Sequence, residues 1–293
     1  MIIDLDTLQP AIRQNYLQYA IAPRPICFAS TVDASGNVNL SPFSFFNMFS
    51  STPPIVVFSP ARRVRDNTTK HTLANVLEVP EVVINIVDLA MVQQVSLAST
   101  EYAKGVNEFI KSGLHPEPAT LIRPPMVQES RIKMECRVNE VKALGSGAGA
   151  GNLVICEVLR MHIDESILDE QGMIDQTRIE HIARLGGDWY CSVNSSNLFR
   201  VEKPLRNIGI GVDALPDSIR NSEILTGNHL GQLANVAALP EFDPAFDEPR
   251  LTRIVQYFAH SPAEMEKEVH RLAAELLKNN QVSEAWQVLL STV

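Results

Sequence analysis

The residues of this chain whose types and spacing could do chemistry fall in two stretches of its first third. One is Asn39-Leu40-Ser41-Pro42-Phe43-Ser44-Phe45-Phe46, where hydroxyls and rings stand in place of the aliphatic residues of a plain core strand. Pro42 removes a ladder donor, so the stretch is expected at an edge, a bulge or a bend, with the hydroxyls of Ser41 and Ser44 and freed backbone N–H groups facing outward. Such a surface suits an anionic, ring-bearing ligand. The other is Pro60-Ala61-Arg62-Arg63-Val64-Arg65-Asp66-Asn67-Thr68-Thr69-Lys70-His71, which precedes a short helix expected over residues 72–77 with Thr69 or Thr72 as N-cap. Guanidinium and ammonium groups, hydroxyls and a helix N-terminus together make a phosphate site. Taken alone the segment reads equally as a solvated charged loop. Its company favours the phosphate reading: Ser59 ends an apolar strand just ahead of the arginines, and the Ser-Pro-Phe-Ser edge lies close by in sequence.

Other chemistries find less support. Gly145, Gly147 and Ala150 fit G-x-G-x-x-A, but a dinucleotide fingerprint must open a helix, and this loop leads into a strand-like run. Gly209-Ile210-Gly211 is a weaker match, and no G-x-x-x-x-G-K-[ST] occurs. The seven histidines lack HExxH or any close ligand spacing, so no metal site is expected. Neither a G-x-S-x-G elbow nor a histidine near Ser41 points to a nucleophilic hydrolase.

The elements that must position these groups are mainly strands. Residues 25–31 form an apolar run, and Asp33-Ala34-Ser35-Gly36-Asn37 supplies turn residues, so a hairpin leads into the Ser-Pro-Phe-Ser stretch. Further strands are expected at 53–59, at 81–87 with Asn85 inside it, and at 131–144, where Ile132, Met134, Cys136 and Val138 face one way and Lys133, Glu135, Arg137 and Asn139 the other. A glycine–alanine loop, 145–151, joins that strand to its return at 153–163. A helical turn is expected near 12–19, helical spacing runs through 88–112, and 114–125 is proline-rich and irregular. Strands that mostly alternate, with few crossover helices, argue for a closed or nearly closed antiparallel barrel. After a loop-like 194–207, residues 215–235 and 247–293 are helical in pattern. There Pro262 follows Ser261 as a good first helical residue, and Met265, Val269, Leu272, Leu276 and Leu277 form one stripe. The expected organisation is a mainly β domain, 1–204, carrying an α-helical extension, 205–293.

A chain of 293 residues, 45% hydrophobic, can bury a sizeable core. Its net charge of −9 argues against nucleic acid or an anionic membrane as the main partner. The four cysteines, Cys27, Cys136, Cys156 and Cys191, contain no CxxC, and three sit in apolar strand-like runs. Buried free thiols in a reducing compartment are expected. With no basic-then-apolar leader and no run of about 18 apolar residues, a cytoplasmic location is the expectation.

The pieces Pro23-Arg24-Pro25-Ile26, the hairpin from Ser30-Thr31 to Gly36, Asn39 to Asn47, Pro53-Pro54 and Ser59-Pro60-Ala61-Arg62-Arg63 recur, in this order, in a known family. So do Lys70-His71-Thr72-Leu73-Ala74-Asn75, where His71 replaces the usual Asp, then Val82-Val83-Ile84-Asn85, residues 147–157 and Arg184-Leu185-Gly186-Gly187-Asp188-Trp189-Tyr190. Over about residues 10–200 the chain resembles the flavin reductase-like proteins with an FMN-binding split barrel, in the branch of the flavoredoxins and the reductase components of two-component monooxygenases. The resemblance implies FMN, held non-covalently at a homodimer interface. Thr31, Ser41, Pro42, Ser44, Phe45 and Phe46 would line its ring and ribityl chain; Ser59, Arg62, Lys70, Thr72 and Asn75 would hold the phosphate and its surroundings. Hydride would pass from NAD(P)H to the flavin and on to a flavin or a protein acceptor such as a monooxygenase. Arg24 is the candidate for a charge beside the ring. His181, Arg184 and Tyr190 either border its open face or simply pack on the barrel. The alternatives are an FMN-containing electron carrier and a split-barrel binding protein without turnover. The helical extension lies outside the resemblance.

Overall fold

The computed structural model describes residues 1–204 and 208–292. It divides into two compact units, Met1–Phe199 and Arg200–Val293. The boundary expected between 204 and 205 adjoins residues 205–207, which lie outside the described residues, as does residue 293 at the end of the expected helical tail.

The first unit opens with helix α1 (Pro10–Ala20), then strands β1 (Arg24–Pro25), β2 (Cys27–Val32), β3 (Val38–Phe43), β4 (Phe46–Ser51) and β5 (Pro54–Phe58). Helix α2 (His71–Glu78), strand β6 (Glu81–Ile86), helices α3 (Val92–Leu97) and α4 (Glu108–Ser112) and short strands β7 (Pro116–Glu117) and β8 (Met126–Val127) follow. The long hairpin β9 (Ile132–Ala143) and β10 (Asn152–Ile163), and the short one β11 (His181–Arg184) and β12 (Tyr190–Val193), complete it. Seven strands form one antiparallel sheet in the order β3-β2-β6-β9-β10-β5-β4; β1, β11 and β12 form a small second sheet.

The strands at the two ends of the large sheet, β3 and β4, are consecutive in the chain and only Ser44 and Phe45 separate them. The three Cα steps from Phe43 to Phe46 reach at most about 11 Å, so the sheet must curl until its edges come close. The Phe43 ring of β3 stands 5.2 Å from the Phe58 ring of β5, and the Ser59 N–H donates to the Phe45 carbonyl at 2.8 Å. The result is a barrel with a slit between β3 and β4. The stretch expected at an edge, a bulge or a bend is an edge that breaks: the chain leaves the β3 edge at Ser44 and joins the other edge at Phe46.

Alternation along the strands gives the barrel two faces. Cys27 and Ala29 of β2 and Phe43 of β3 point inward, where they cluster with Val56, Phe58, Val82, Ile84, Cys136, Val154 and Cys156. Helix α2 plugs this interior with Leu73 and Val76. Phe28 of β2 and Leu40 of β3 point outward and pack under α3 and α4. The exposed edge of β3 is partly covered: the buried Glu108 carboxylate of α4 accepts the Leu40 N–H at 2.9 Å, which blunts an edge otherwise open to pairing.

Local expectation and structure differ in three places. Helix α2 begins at His71 with Lys70 as N-cap, and the Lys70 side chain makes no capping bond. Arg63 holds the Thr68 hydroxyl and the Thr69 carbonyl, which keeps those residues out of the helix and leaves Thr72 at its second position. Residues 88–112 form only two short helices, α3 and α4, around an irregular stretch. Glu135, expected on the exposed side of β9, is fully buried. It accepts from the Thr120 N–H at 3.0 Å, the Thr120 hydroxyl at 2.5 Å, the Leu121 N–H at 2.6 Å and His162 Nε2 at 2.6 Å. One carboxylate thus fastens the proline-rich segment to the sheet.

The second unit is helical: α5 (Asp217–Arg220), α6 (Gly227–Leu233), α7 (Pro249–Tyr257), α8 (Pro262–Lys278) and α9 (Val282–Leu290). The stripe expected on α8 is its inward face: Val269, Leu272, Leu276 and Leu277 join Leu215, Ile219, Leu233 and Trp286 in a core of their own, with Met265 packed at its rim.

Candidate functional site

The inward face that gives the barrel its core turns polar at one end of the β2–β3 pair. Thr31 is paired with Asn39, and Ala29 with Ser41, so Thr31, Asn39 and Ser41 share the side on which Phe43 lies. Helix α2 packs on this strip. Its Asn75 amide donates to the Thr31 hydroxyl at 3.1 Å, and the Asn39 amide donates to the Ser41 hydroxyl at 3.3 Å. The Thr72 hydroxyl, in the first turn of α2, is completely buried and has no hydrogen-bond partner. A buried polar atom left in this state costs about 1–3 kcal/mol unless something else satisfies it. Lys70 places its ammonium 5.2 Å from the centre of the Phe43 ring. Burial, and secondarily the nearby Arg63 guanidinium, hold it below the ordinary lysine value.

The slit supplies the rest. Ser44 and Phe45 form its lip, with Phe45 exposed and Phe46 tucked against the barrel core. Ser59 is tied to this lip by its backbone bond to Phe45. On its other side stands Gly151, where a Cβ would lie 2.7 Å from the Ser59 hydroxyl and force it to turn away. The Arg62 backbone is zipped to the glycine loop, its N–H donating to the Ala150 carbonyl at 2.8 Å and its carbonyl accepting from Gly149 at 3.1 Å. That explains the glycine-rich hairpin without a nucleotide fingerprint. Asn67, with φ of 57°, accepts from Arg62 Nε at 2.7 Å and Nη2 at 2.5 Å. A residue in the left-handed region is most readily Asn or Gly.

The four cations of the basic segment now separate. Arg63 and Arg65 are paired with Glu101 and Asp66. Among the described residues, Arg62 and Lys70 have no carboxylate partner within salt-bridge distance, so these two carry uncompensated positive charge beside the slit.

Of the residues singled out from the sequence, Thr31, Ser41 and Asn75 share the polar strip; Ser44, Phe45, Phe46, Ser59 and Arg62 gather along the slit; Lys70 and Thr72 sit where α2 begins between them. Four lie elsewhere. Pro42 is paired with Phe28 and falls on the outward face of β3. Arg24 is buried and commits its guanidinium to three backbone carbonyls, Gln18 and Ile21 at 2.5 Å and Leu185 at 2.7 Å. It ties the end of α1 to β11 and is not placed as a free charge. His181 bridges to Asp88 by its backbone, and burial lowers its pKa against the opposing pull of that aspartate. The Arg184 guanidinium donates to the Tyr190 hydroxyl and stands 4.5 Å from its ring centre, and Tyr190 packs with the outward cluster. Asn39 and Asn67, not singled out from the sequence, prove to orient Ser41 and Arg62; an Asn in an apolar strand and an Asn after a charged run were the only signals.

The arrangement pairs a hydroxyl- and amide-lined strip and exposed aromatic lip with two unneutralised cations and a helix start. It is chemistry for an anion attached to a flat ring. Residues 19–182, over half the chain, match the family model described as the flavin reductase like domain. A protein of Halalkalibacterium halodurans, BH2278, is 31% identical over 70% of this chain and 97% of its own length; one of Aquifex aeolicus is 33% identical over 58% and 84%. Among solved structures, nitrilotriacetate monooxygenase component B from Bacillus cereus superposes with a TM-score of 0.64 at 27% identity, covering 69% of this chain and 98% of that one. A Shewanella frigidimarina protein described as a flavin reductase with a split barrel domain gives 0.58 at 26%, covering 68% and 96%. The slit barrel is a split barrel, and the chain belongs to the flavin reductase-like family.

Proposed function

We propose that the protein is an FMN-dependent oxidoreductase of the flavin reductase type, taking hydride from NAD(P)H and passing electrons to a free flavin or to a protein acceptor such as a monooxygenase. What supports the reading is that one short segment, ending in the first turn of α2, supplies Arg62 and Lys70, neither with a carboxylate partner among the described residues, and the buried, unpartnered Thr72 hydroxyl. A phosphate monoester supplies acceptors for all three, and a ring system attached to it would lie against Ser41, Ser44 and Phe45. The residues present therefore fit FMN.

When bound, the flavin supplies the two-electron chemistry. The chain's own groups do the rest. Arg62, already braced by Asn67, and Lys70, poorly solvated and short of counter-charge, neutralise the phosphate. Thr72 and Ser59 donate hydroxyl hydrogen bonds. Ser41 and Ser44 orient the ring edge, and the aromatic lip excludes water from one side of it. No side chain here is required to carry a proton.

The FMN is held at a homodimer interface in this reading. Large apolar side chains, Ile12, Tyr16, Leu17 and Tyr19 on α1 and Met48 and Phe49 on β4, are exposed in the single chain, more than a lone soluble surface ordinarily shows together. The buried free thiols Cys27, Cys136 and Cys156 agree with a reducing, cytoplasmic setting.

The test is flavin binding and turnover. Purified protein should be yellow or bind added FMN, and should oxidise NADH or NADPH in a flavin-dependent way. Replacing Lys70 by Met should weaken FMN roughly tenfold or more, the loss of one charged hydrogen bond, while riboflavin binding changes little. Colourless protein whose thermal midpoint FMN leaves unmoved would end the proposal. Flavin binding without NAD(P)H oxidation would point to the electron-carrier reading.

A further inference from the structure

In the helical unit, the turn Ser222-Glu223-Ile224-Leu225-Thr226 leads into α6, and a histidine meets it at each end. At the α6 end the Thr226 N–H donates to His229 Nδ1 at 3.2 Å, while the His229 N–H donates to the Thr226 hydroxyl at 3.3 Å. A backbone N–H can only donate, so this Nδ1 must accept. At the other end the Ser222 hydroxyl oxygen accepts from the Ile224 and Leu225 N–H groups, both at 3.1 Å. Those two bonds use both of its lone pairs, so its single proton goes to His270 Nδ1, 2.8 Å away. Both rings are therefore neutral, each with its proton on Nε2.

The turn holds part of the helical core in place. Leu225 is buried in the same cluster as Ile219, Leu233 and Val269. His270, on α8, is only 5% exposed, and His229 is half-buried. A proton added at either Nδ1 would face another donor, or a hydroxyl with no lone pair left. Burial holds both rings below the ordinary histidine value; Lys278 of α8 adds to this at His229, and Glu266, one turn before His270, opposes it there. Glu223 in the turn is exposed. Asp217 and Arg220 of α5 pair with each other, and Arg250 of α7 pairs with Glu248 and Glu275. Among the described residues, Arg253 of α7 and Glu284 of α9 bear on neither ring.

We propose that His229 and His270 form an acid-released clasp on the helical unit: protonation of either ring removes an acceptor, frees that end of the turn 222–226 and loosens Leu225 and the start of α6 from the core. The clasp lies beyond the residues that match the family model and does not rest on the flavin reading. The native state favours the neutral rings, so the unfolded chain takes up protons first as pH falls below the ordinary histidine value of 6.5. The contribution of the clasp is therefore complete above that value and is lost below it. Each histidine raises the unfolding constant by up to about tenfold per pH unit until its folded value is reached.

The experiment uses the full chain with Trp189→Phe, which leaves Trp286 of the helical core as its one tryptophan. This parent is compared with chains that also carry His229→Asn, His270→Asn or both. An asparagine Oδ1 keeps an acceptor close to the place of Nδ1 and does not titrate. Urea unfolding is followed by Trp286 fluorescence at pH 7.5 and 5.5. The unfolding constant of the parent should rise roughly tenfold or more at the lower pH. On a logarithmic scale each single variant should lose about half of that rise, and the double variant nearly all of it. Only the change with pH is read, so a constant offset in stability between variants does not enter. Nitrogen NMR of the histidine rings in the unsubstituted chain gives a second reading that needs no variant to fold. At pH 7.5 both rings should carry their proton on Nε2, and the Ile224, Leu225 and Thr226 amides should lose protection as the rings titrate. An equal rise in parent and double variant, a proton on Nδ1 of either ring at pH 7.5, or amide protection unchanged by ring titration overturns the proposal.

Discussion

Thr72 makes the sharpest residue-scale statement, because the same hydroxyl should act in opposite directions with and without ligand. In the flavin-free chain it is buried and unpartnered, so Thr72→Val removes an unsatisfied group without opening a cavity. The variant should gain about 1 kcal/mol in denaturant unfolding without flavin, yet bind FMN roughly tenfold more weakly. Equal affinity in the two proteins would detach that hydroxyl from any ligand. Glu135 gives a second residue-scale outcome. Burial raises its pKa, but hydrogen bonds from Thr120, His162 and Leu121 outweigh this and bring it down from 4.5 to about 2. A depressed carboxylate stabilises the fold above its unfolded value and loses that contribution as pH falls through its folded one. The loss should run between about pH 4.5 and 2 and amount to about 3 kcal/mol. Urea midpoints measured across that window should drop steeply for the native chain and far less for Glu135→Gln; parallel curves would show that the carboxylate is not the titrating anchor.

At the scale of elements, what was legible depended on whether the cause was local. Alternation located β9 and β10, turn residues located the hairpin before β3, and the stripe on α8 named its buried face. From β3 to β4 only an edge or a bend at Pro42 was legible; the break at Ser44 comes from curling the whole sheet until its edges approach. Glu135 was misassigned for the same reason: its donors arrive from a loop and from a neighbouring strand that no two-residue period records. The chemical residues fared better because hydroxyls and cations flanking an edge proline and a helix start are unusual locally, whereas Arg24 looked like a free charge until its three carbonyl partners were in view. The seating of α1 offers a test at this scale. Gly186 lies under the Tyr19 ring so closely that a Cβ there would be 1.9 Å from Tyr19 Cδ1. Gly186→Ala should therefore push the ring away and cost about 1–2 kcal/mol. In a Tyr19→Ala background the same change should cost less than half as much, a coupling visible in a double-mutant cycle of unfolding free energies. Strict additivity would mean that the ring moves freely and that Arg24 alone fastens the helix end.

For the molecule as a whole, the two units have separate cores: the split barrel is filled by strand residues with Leu73 and Val76, the helical unit by α8, α9 and Trp286. The family model ends at residue 182, and every residue of the proposed cradle lies in the first unit. Trp286 is 1% exposed and its indole N–H donates to the Leu233 carbonyl at 3.2 Å, so Trp286→Ala removes the largest side chain of the helical core together with a buried hydrogen bond. The cost, by analogy with large-to-small changes in other cores, should be about 3–5 kcal/mol. If the two cores unfold as separate cooperative units, that cost should fall on the transition of the helical unit, leaving FMN affinity and the melting of flavin-bound barrel within error of the parent. Calorimetric unfolding, with flavin absorbance followed in parallel, reads both at once. A single transition that moves as one in the variant, with flavin released at the same lowered temperature, would show instead that the helical unit and the barrel stand or fall together.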